Sequence, residues 1–137
     1  MTDLKDLARR VSELKGPDRE VDAEIAVCLK HGCRTNLADD LEYLSLPNKA
    51  DPGPGVAAGH YWLHCRSGMS LRSAPAFTAS LDAAMMLVPE GAKLTFLNHG
   101  DTGGRSMWLV SPNERFISAA TPALALTAAA LIARSSQ

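Results

Sequence analysis

Lys93-Leu94-Thr95-Phe96-Leu97 and Ser106-Met107-Trp108-Leu109-Val110 flank the glycine-rich stretch Asn98-His99-Gly100-Asp101-Thr102-Gly103-Gly104. Two short apolar runs on either side of such a stretch read as strands joined by a hairpin loop. Gly, Asn and Asp suit the loop because they tolerate the backbone conformations of tight turns. Strands joined in this way run antiparallel, so the sheet is expected to be mostly antiparallel. Residues 115–118 add a short further strand.

The sequence on both sides of the hairpin reads as helix. Ser80 caps a helix with Leu81, Ala84, Met85 and Val88 at i, i+3, i+4 and i+7, and Pro89 ends it. After the hairpin, Thr121 at the N-cap and Pro122 at N1 open a helix that is Ala and Leu almost all round. A helix apolar on every face belongs deep in the core.

Further upstream, Leu4, Leu7, Val11 and Leu14 share one face of a first helix, stopped by Lys15-Gly16-Pro17. Asp18 caps a second helix with Val21, Ile25, Cys28 and Leu29 inward. So short a join predicts an αα-hairpin. Residues 34–59 read as an irregular loop, with a short helix over 36–44 and Asp51-Pro52-Gly53-Pro54-Gly55 breaking any regular element. Residues 60–66 form a strand with Tyr61, Leu63 and Cys65 on one face and Trp62 and His64 on the other. The order α-α-loop-β-α-β-β-(β)-α predicts an α+β fold, a three-layer α/β/α sandwich with the sheet between helices. With 137 residues, a single domain spanning 1–137 is expected.

Composition narrows the function classes. The 46% hydrophobic and 21% charged content is that of a globular chain. Fourteen basic and fifteen acidic residues leave a formal charge of −1, which gives no general attraction to nucleic acid or anionic lipid. The apolar stretch from 122 to 133 is too short to cross a bilayer. Three cysteines and an N-terminus without the apolar run of a signal peptide predict reduced thiols in a cytoplasm.

Cys28, His31, Cys33, His60, His64 and Cys65 gather six of the seven cysteines and histidines into one segment. Thiolates and imidazoles are zinc ligands, so these six are the candidate metal residues. The packing reading is stronger. Cys28 lies on the apolar stripe of its helix, and His60 and His64 share a strand face from which Cys65 points away. No metal and no cofactor is therefore expected.

Gly100-Asp101-Thr102-Gly103-Gly104 is similar to the sequence around a serine-protease nucleophile, but threonine replaces serine and no His and Asp partners stand in suitable contexts. Turn chemistry accounts for it better than a nucleophile or an anion-binding nest beside Arg105. Asp18, Glu20, Asp22 and Glu24 form i,i+4 carboxylate pairs. A solvated acidic first turn is the preferred reading of them. Trp62 and Trp108 are expected in the core, or else as a platform on adjacent strands. No catalytic residue emerges, and the chain reads as non-enzymatic.

Three ordered runs resemble the phage ABA sandwich domain, a family of small proteins encoded by phages and prophages. They are Ala76-Phe77-Thr78-Ala79-Ser80-Leu81-Asp82-Ala83-Ala84, Leu87-Val88-Pro89-Glu90-Gly91 and Ala120-Thr121-Pro122-Ala123-Leu124-Ala125-Leu126. The segment Gly16-Pro17-Asp18-Arg19-Glu20-Val21-Asp22-Ala23-Glu24-Ile25-Ala26 is similar to the N-terminal part of many members. The resemblance implies a sheet between helical layers and an accessory protein in the bacterial cytoplasm, acting on a host or phage protein. It brings no catalytic residues and no ligand. Where the family often carries aromatic residues, this chain has Gly32-Cys33 and Ala92-Lys93. The alternative reading is a small metal- or ligand-binding protein that uses the 28–65 segment.

Overall fold

The structure, a computed structural model, describes residues 4–29, 41–47, 53, 55–97, 106–111 and 115–135. In chain order the elements are α1 (Leu4–Glu13), α2 (Arg19–Cys28), β1 (Leu41–Ser45), β2 (His60–Cys65), β3 (Gly68–Ser73), α3 (Leu81–Met85), β4 (Leu94–Leu97), β5 (Ser106–Val110), β6 (Ile117–Ala119) and α4 (Pro122–Ser135). The fold is α+β, but its strands pair into two antiparallel three-stranded sheets, β1-β2-β3 and β4-β5-β6, where one sheet was expected. The chain correspondingly forms two compact units, Arg19–Pro75 and Met1–Asp18 with Ala76–Gln137.

The discontinuous unit is built on α4. Residues 123–131 are all Ala or Leu but for Thr127, and the helix is buried along most of its length. Its start matches the expectation: the Leu124 N–H donates to Thr121 Oγ1 (3.2 Å), with Pro122 as the first helical residue. The helix packs on β5 and β6, and α1 and α3 pack on it. Leu126, Ala129 and Ala133 meet Val110 and Ala84, with Leu94, Trp108 and Ile117 around them. Thr127 is also buried, and its hydroxyl donates to the Phe77 carbonyl (2.8 Å), which removes the cost of an unsatisfied polar group. Thr78 closes the unit on itself: its Oγ1 accepts from the Asp18 N–H (2.9 Å) and donates to the Asp18 carbonyl (3.3 Å).

One helical expectation for this unit needs correction. Helix α1 buries Leu7 and Val11 as the spacing predicts. It packs on α4, within its own unit. Helix α3 is only five residues long and buries Ala84 alone, leaving Leu81 and Met85 exposed. The rest of the expected apolar face is supplied from beyond the helix, where Leu87 is buried and Val88 packs against the Ala84 and Leu126 cluster. The predicted cap is present, with the Ala83 N–H donating to Ser80 Oγ (3.3 Å). Ser80→Ala should therefore lower stability by about 1 kcal/mol in a urea titration. An unchanged midpoint would show that this cap is energetically idle.

The continuous unit lays α2 on one face of β1-β2-β3. Tyr61 and Leu63 are buried and Trp62 half-buried, in the alternation expected of β2. Residues 41–45 are a strand rather than the end of a short helix, and residues 36–40 lie outside the described residues. Pairing with β2, interrupted by a register shift between Leu41 and Tyr43, overrides the weak local helical preference. Strand β3 had no expectation. It follows β2 through the two-residue turn Arg66-Ser67, with Cys65 paired to Gly68.

The N-terminus of α2 is fastened by one arginine. Arg19 Nη1 pairs with Asp22 Oδ2 (2.8 Å), while Nη2 donates to the Ala74 carbonyl (2.7 Å) and to Ser73 Oγ (3.2 Å). Asp22 is fully buried. Gly59, at φ +93°, lies against the same guanidinium, where a Cβ would fall 2.5 Å from Nε. Only glycine meets both demands without displacing Arg19.

Candidate functional site

Helix α2 aligns Glu20, Ala23 and Glu24 along one face, because residues three and four apart stack on a helix surface. In the continuous unit these residues form one wall of a cavity of about 130 Å³. Leu46 and Pro47, just after β1, and residues 56–60, leading into β2, complete the lining. The walls are largely apolar, and the lining residues with polar side chains are Glu20, Glu24 and His60. Glu24 Oε2 is buried. His60 is held by its own loop: Nδ1 lies 2.9 Å from the Ala57 carbonyl and 3.0 Å from the Ala57 N–H. The tautomer decides which of these contacts is the hydrogen bond.

The acidic residues of α2 thus do more than form a solvated first turn. Asp22 is buried against Arg19, and Glu20 and Glu24 line the cavity. One signal was present in the sequence: Asp22 falls between Val21 and Ile25 on the buried arc, three residues from Arg19. The cavity itself has no local signal, since its α2 wall lies more than twenty residues from the two segments that complete it.

Four of the six cysteine and histidine candidates are among the described residues. Cys28 and Cys65 are half-buried, His60 is at the cavity, and His31 and Cys33 lie outside the described residues. His64 is engaged elsewhere, sharing a 2.7 Å hydrogen bond with Ser45 Oγ and stacking on Tyr43 with ring centroids 4.1 Å apart. Among the described residues no group of three His, Cys, Asp or Glu side chains could hold a metal ion. The glycine-rich motif at 100–104, with Thr102 and Arg105, also lies outside them.

The two tryptophans belong to different sheets rather than to adjacent strands of one. Trp108 borders the α4 core and tilts against Phe96, with centroids 4.8 Å apart. The open face of β1-β2-β3 instead carries a cross-strand row, Tyr43, His64 and Met69, whose outer members are 56% and 61% exposed. None of the described helices is long and apolar enough to cross a membrane. Comparison of the chain with protein-family models, with characterised proteins and with solved structures finds no match.

Proposed function

We propose that the chain is a non-enzymatic phage or prophage accessory protein of the bacterial cytoplasm, which binds a host or phage protein through the cleft beside α2. The observation that carries the binding role is the chemistry of the cavity lining. Among the described residues it combines apolar walls with two carboxylates and an imidazole, and includes no Ser, Thr, Cys or Lys to serve as a nucleophile. Glycoside hydrolysis by two carboxylates needs them flanking the bond to be broken. Glu20 and Glu24 stand one turn apart on a single wall. This arrangement suits holding a group rather than transforming it.

Support for the phage origin is the three ordered runs between 76 and 126 and the 16–26 segment. The three-layer α/β/α sandwich belongs to the same proposal, supported by the pairing of sheet with helix inside each unit. The ligand-binding alternative has one observation in its favour, since residues 46, 47 and 56–60 of the 28–65 segment line the cavity.

Ala58 is exposed at the rim of the cavity, so a large side chain there should block it without disturbing the core. Tagged parent protein should capture one stoichiometric protein from a lysate of the natural host, and Ala58→Trp should lose it. Equal capture of that protein by both would remove the cleft from the interaction.

A further inference from the structure

We propose that Ser45 is an acyl-acceptor site, a hydroxyl that His64 activates toward activated esters carrying an apolar acyl chain. Neither residue lines the cleft beside α2, so the inference stands apart from that reading. Hydrogen bonding is the first argument. Ser45 Oγ lies 2.7 Å from His64 Nε2, and the pair is part-buried. In the tautomer protonated at Nδ1, Nε2 is the acceptor and the hydroxyl donates to it. A serine hydroxyl is a weak nucleophile by itself, and an adjacent base that takes its proton is what activates it. Neither side chain makes a further hydrogen bond among the described residues.

Positioning is the second argument. In the β1-β2 register Ser45 pairs with Trp62 and Tyr43 with His64, so Ser45 and His64 are diagonal neighbours on one face. Tyr43 lies nearly flat on the imidazole, with the ring centroids 4.1 Å apart and the planes 11° from parallel. The ring is thus held both by its stack and by its bond at Nε2, as a general base must be.

The surroundings are the third. Met69 pairs with His64, and Leu71 with Trp62, which puts both on the same face as the pair. Tyr43 and Met69 are exposed and Trp62 and Leu71 half-buried, so the apolar surface around the hydroxyl is reachable. These six positions carry no carboxylate, ammonium or guanidinium. An apolar acyl chain matches them and a charged one does not.

In the reaction, Ser45 Oγ bonds to the ester carbonyl carbon while His64 Nε2 takes the hydroxyl proton. The bond from that carbon to the leaving oxygen then breaks, and the proton passes from Nε2 to the leaving group. The products are acyl-Ser45 and the free alcohol. With its acyl chain laid on the apolar face, the new ester is shielded from water. The chain is modified once and does not turn over, in keeping with a non-enzymatic role.

The test uses p-nitrophenyl hexanoate and the intact chain. The parent should release one equivalent of nitrophenolate and gain the mass of one hexanoyl group, which peptide mapping places on Ser45. Ser45→Ala should lose the burst and the adduct, and His64→Gln should slow acylation about a hundredfold. p-Nitrophenyl acetate, with the same leaving group and a shorter chain, should react about tenfold more slowly. Melting curves matching the parent's exclude lost folding as the cause, and the parent's own adduct map decides without either variant. An adduct confined to lysines, no adduct, His64→Gln reacting at the parent rate, or acetate reacting as fast as hexanoate would each overturn the proposal. Nitrophenolate release far beyond one equivalent, with no acyl mass retained, would overturn it as well.

Discussion

Leu124→Asp should destabilise the unit built on α4 by about 4 kcal/mol or more, the cost of forcing a carboxylate into an apolar layer. That is a large share of the roughly 5–15 kcal/mol that stabilises a whole domain. Leu124 has no exposed surface, and its neighbours Ala123, Ala125 and Leu126 are buried with it. Every residue from Ala123 to Leu131 is buried, so the new charge sits in a wholly apolar stretch of the helix apart from Thr127. Urea unfolding followed by Trp108 fluorescence, in a Trp62→Phe background, reads this unit directly. Leu124→Met, which keeps the volume, should cost less than about 1.5 kcal/mol and separates charge from packing. An aspartate variant melting within a few degrees of its parent would place residue 124 at the surface.

The second large effect is expected at Arg19. Arg19→Met removes the guanidinium from a carboxylate that is fully buried, and breaking a buried pair from one side costs about 3–5 kcal/mol. The arginine side chain is itself 34% exposed, so water can partly replace it and the lower end of that range applies. The Ala74 carbonyl loses its partner in the same step. Asp22→Leu combined with Arg19→Met should recover part of the loss, because two apolar groups leave no buried charge behind. The measurement is urea unfolding followed by Trp62 fluorescence in a Trp108→Phe background. If the double variant is as unstable as the sum of the single ones, Arg19 and Asp22 are not energetically coupled.

Elements that announce themselves within a few residues were legible in the sequence. Thr121 and Pro122 open α4, Ser80 caps α3, and the alternation of Tyr61 and Leu63 with Trp62 marks β2. Strands β1 and β3 were not, because their identity comes from β2. Tyr43 and Met69 are strand residues because each pairs with His64, and neither flanking sequence has enough β-branched or aromatic content to show it. The division into two sheets is a matter of pairing partners, which periodicity does not encode. The same holds for the site. Glu20 and Glu24 were visible as a pair, but the loop that turns their face into a cavity arrives some thirty residues later. Cys28 and Cys65, which bound the run of metal-ligating residue types, end separate elements as half-buried side chains.

The hydrogen bonds between Thr78 and the backbone of Asp18 join two points of the chain sixty residues apart, and this sets an order of events during synthesis. Helix α1 leaves the ribosome more than a hundred residues before its partner α4. At about 5–20 residues per second, the apolar face of α1 waits roughly 6–25 s for its partner. Residues 19–75 have no such delay, since α2 and all three strands of their sheet have been translated by residue 73. Nascent chains arrested near residue 110 should therefore already protect the backbone amides of β2 from exchange, while Leu7 and Val11 offer a binding segment to chaperones until α4 emerges.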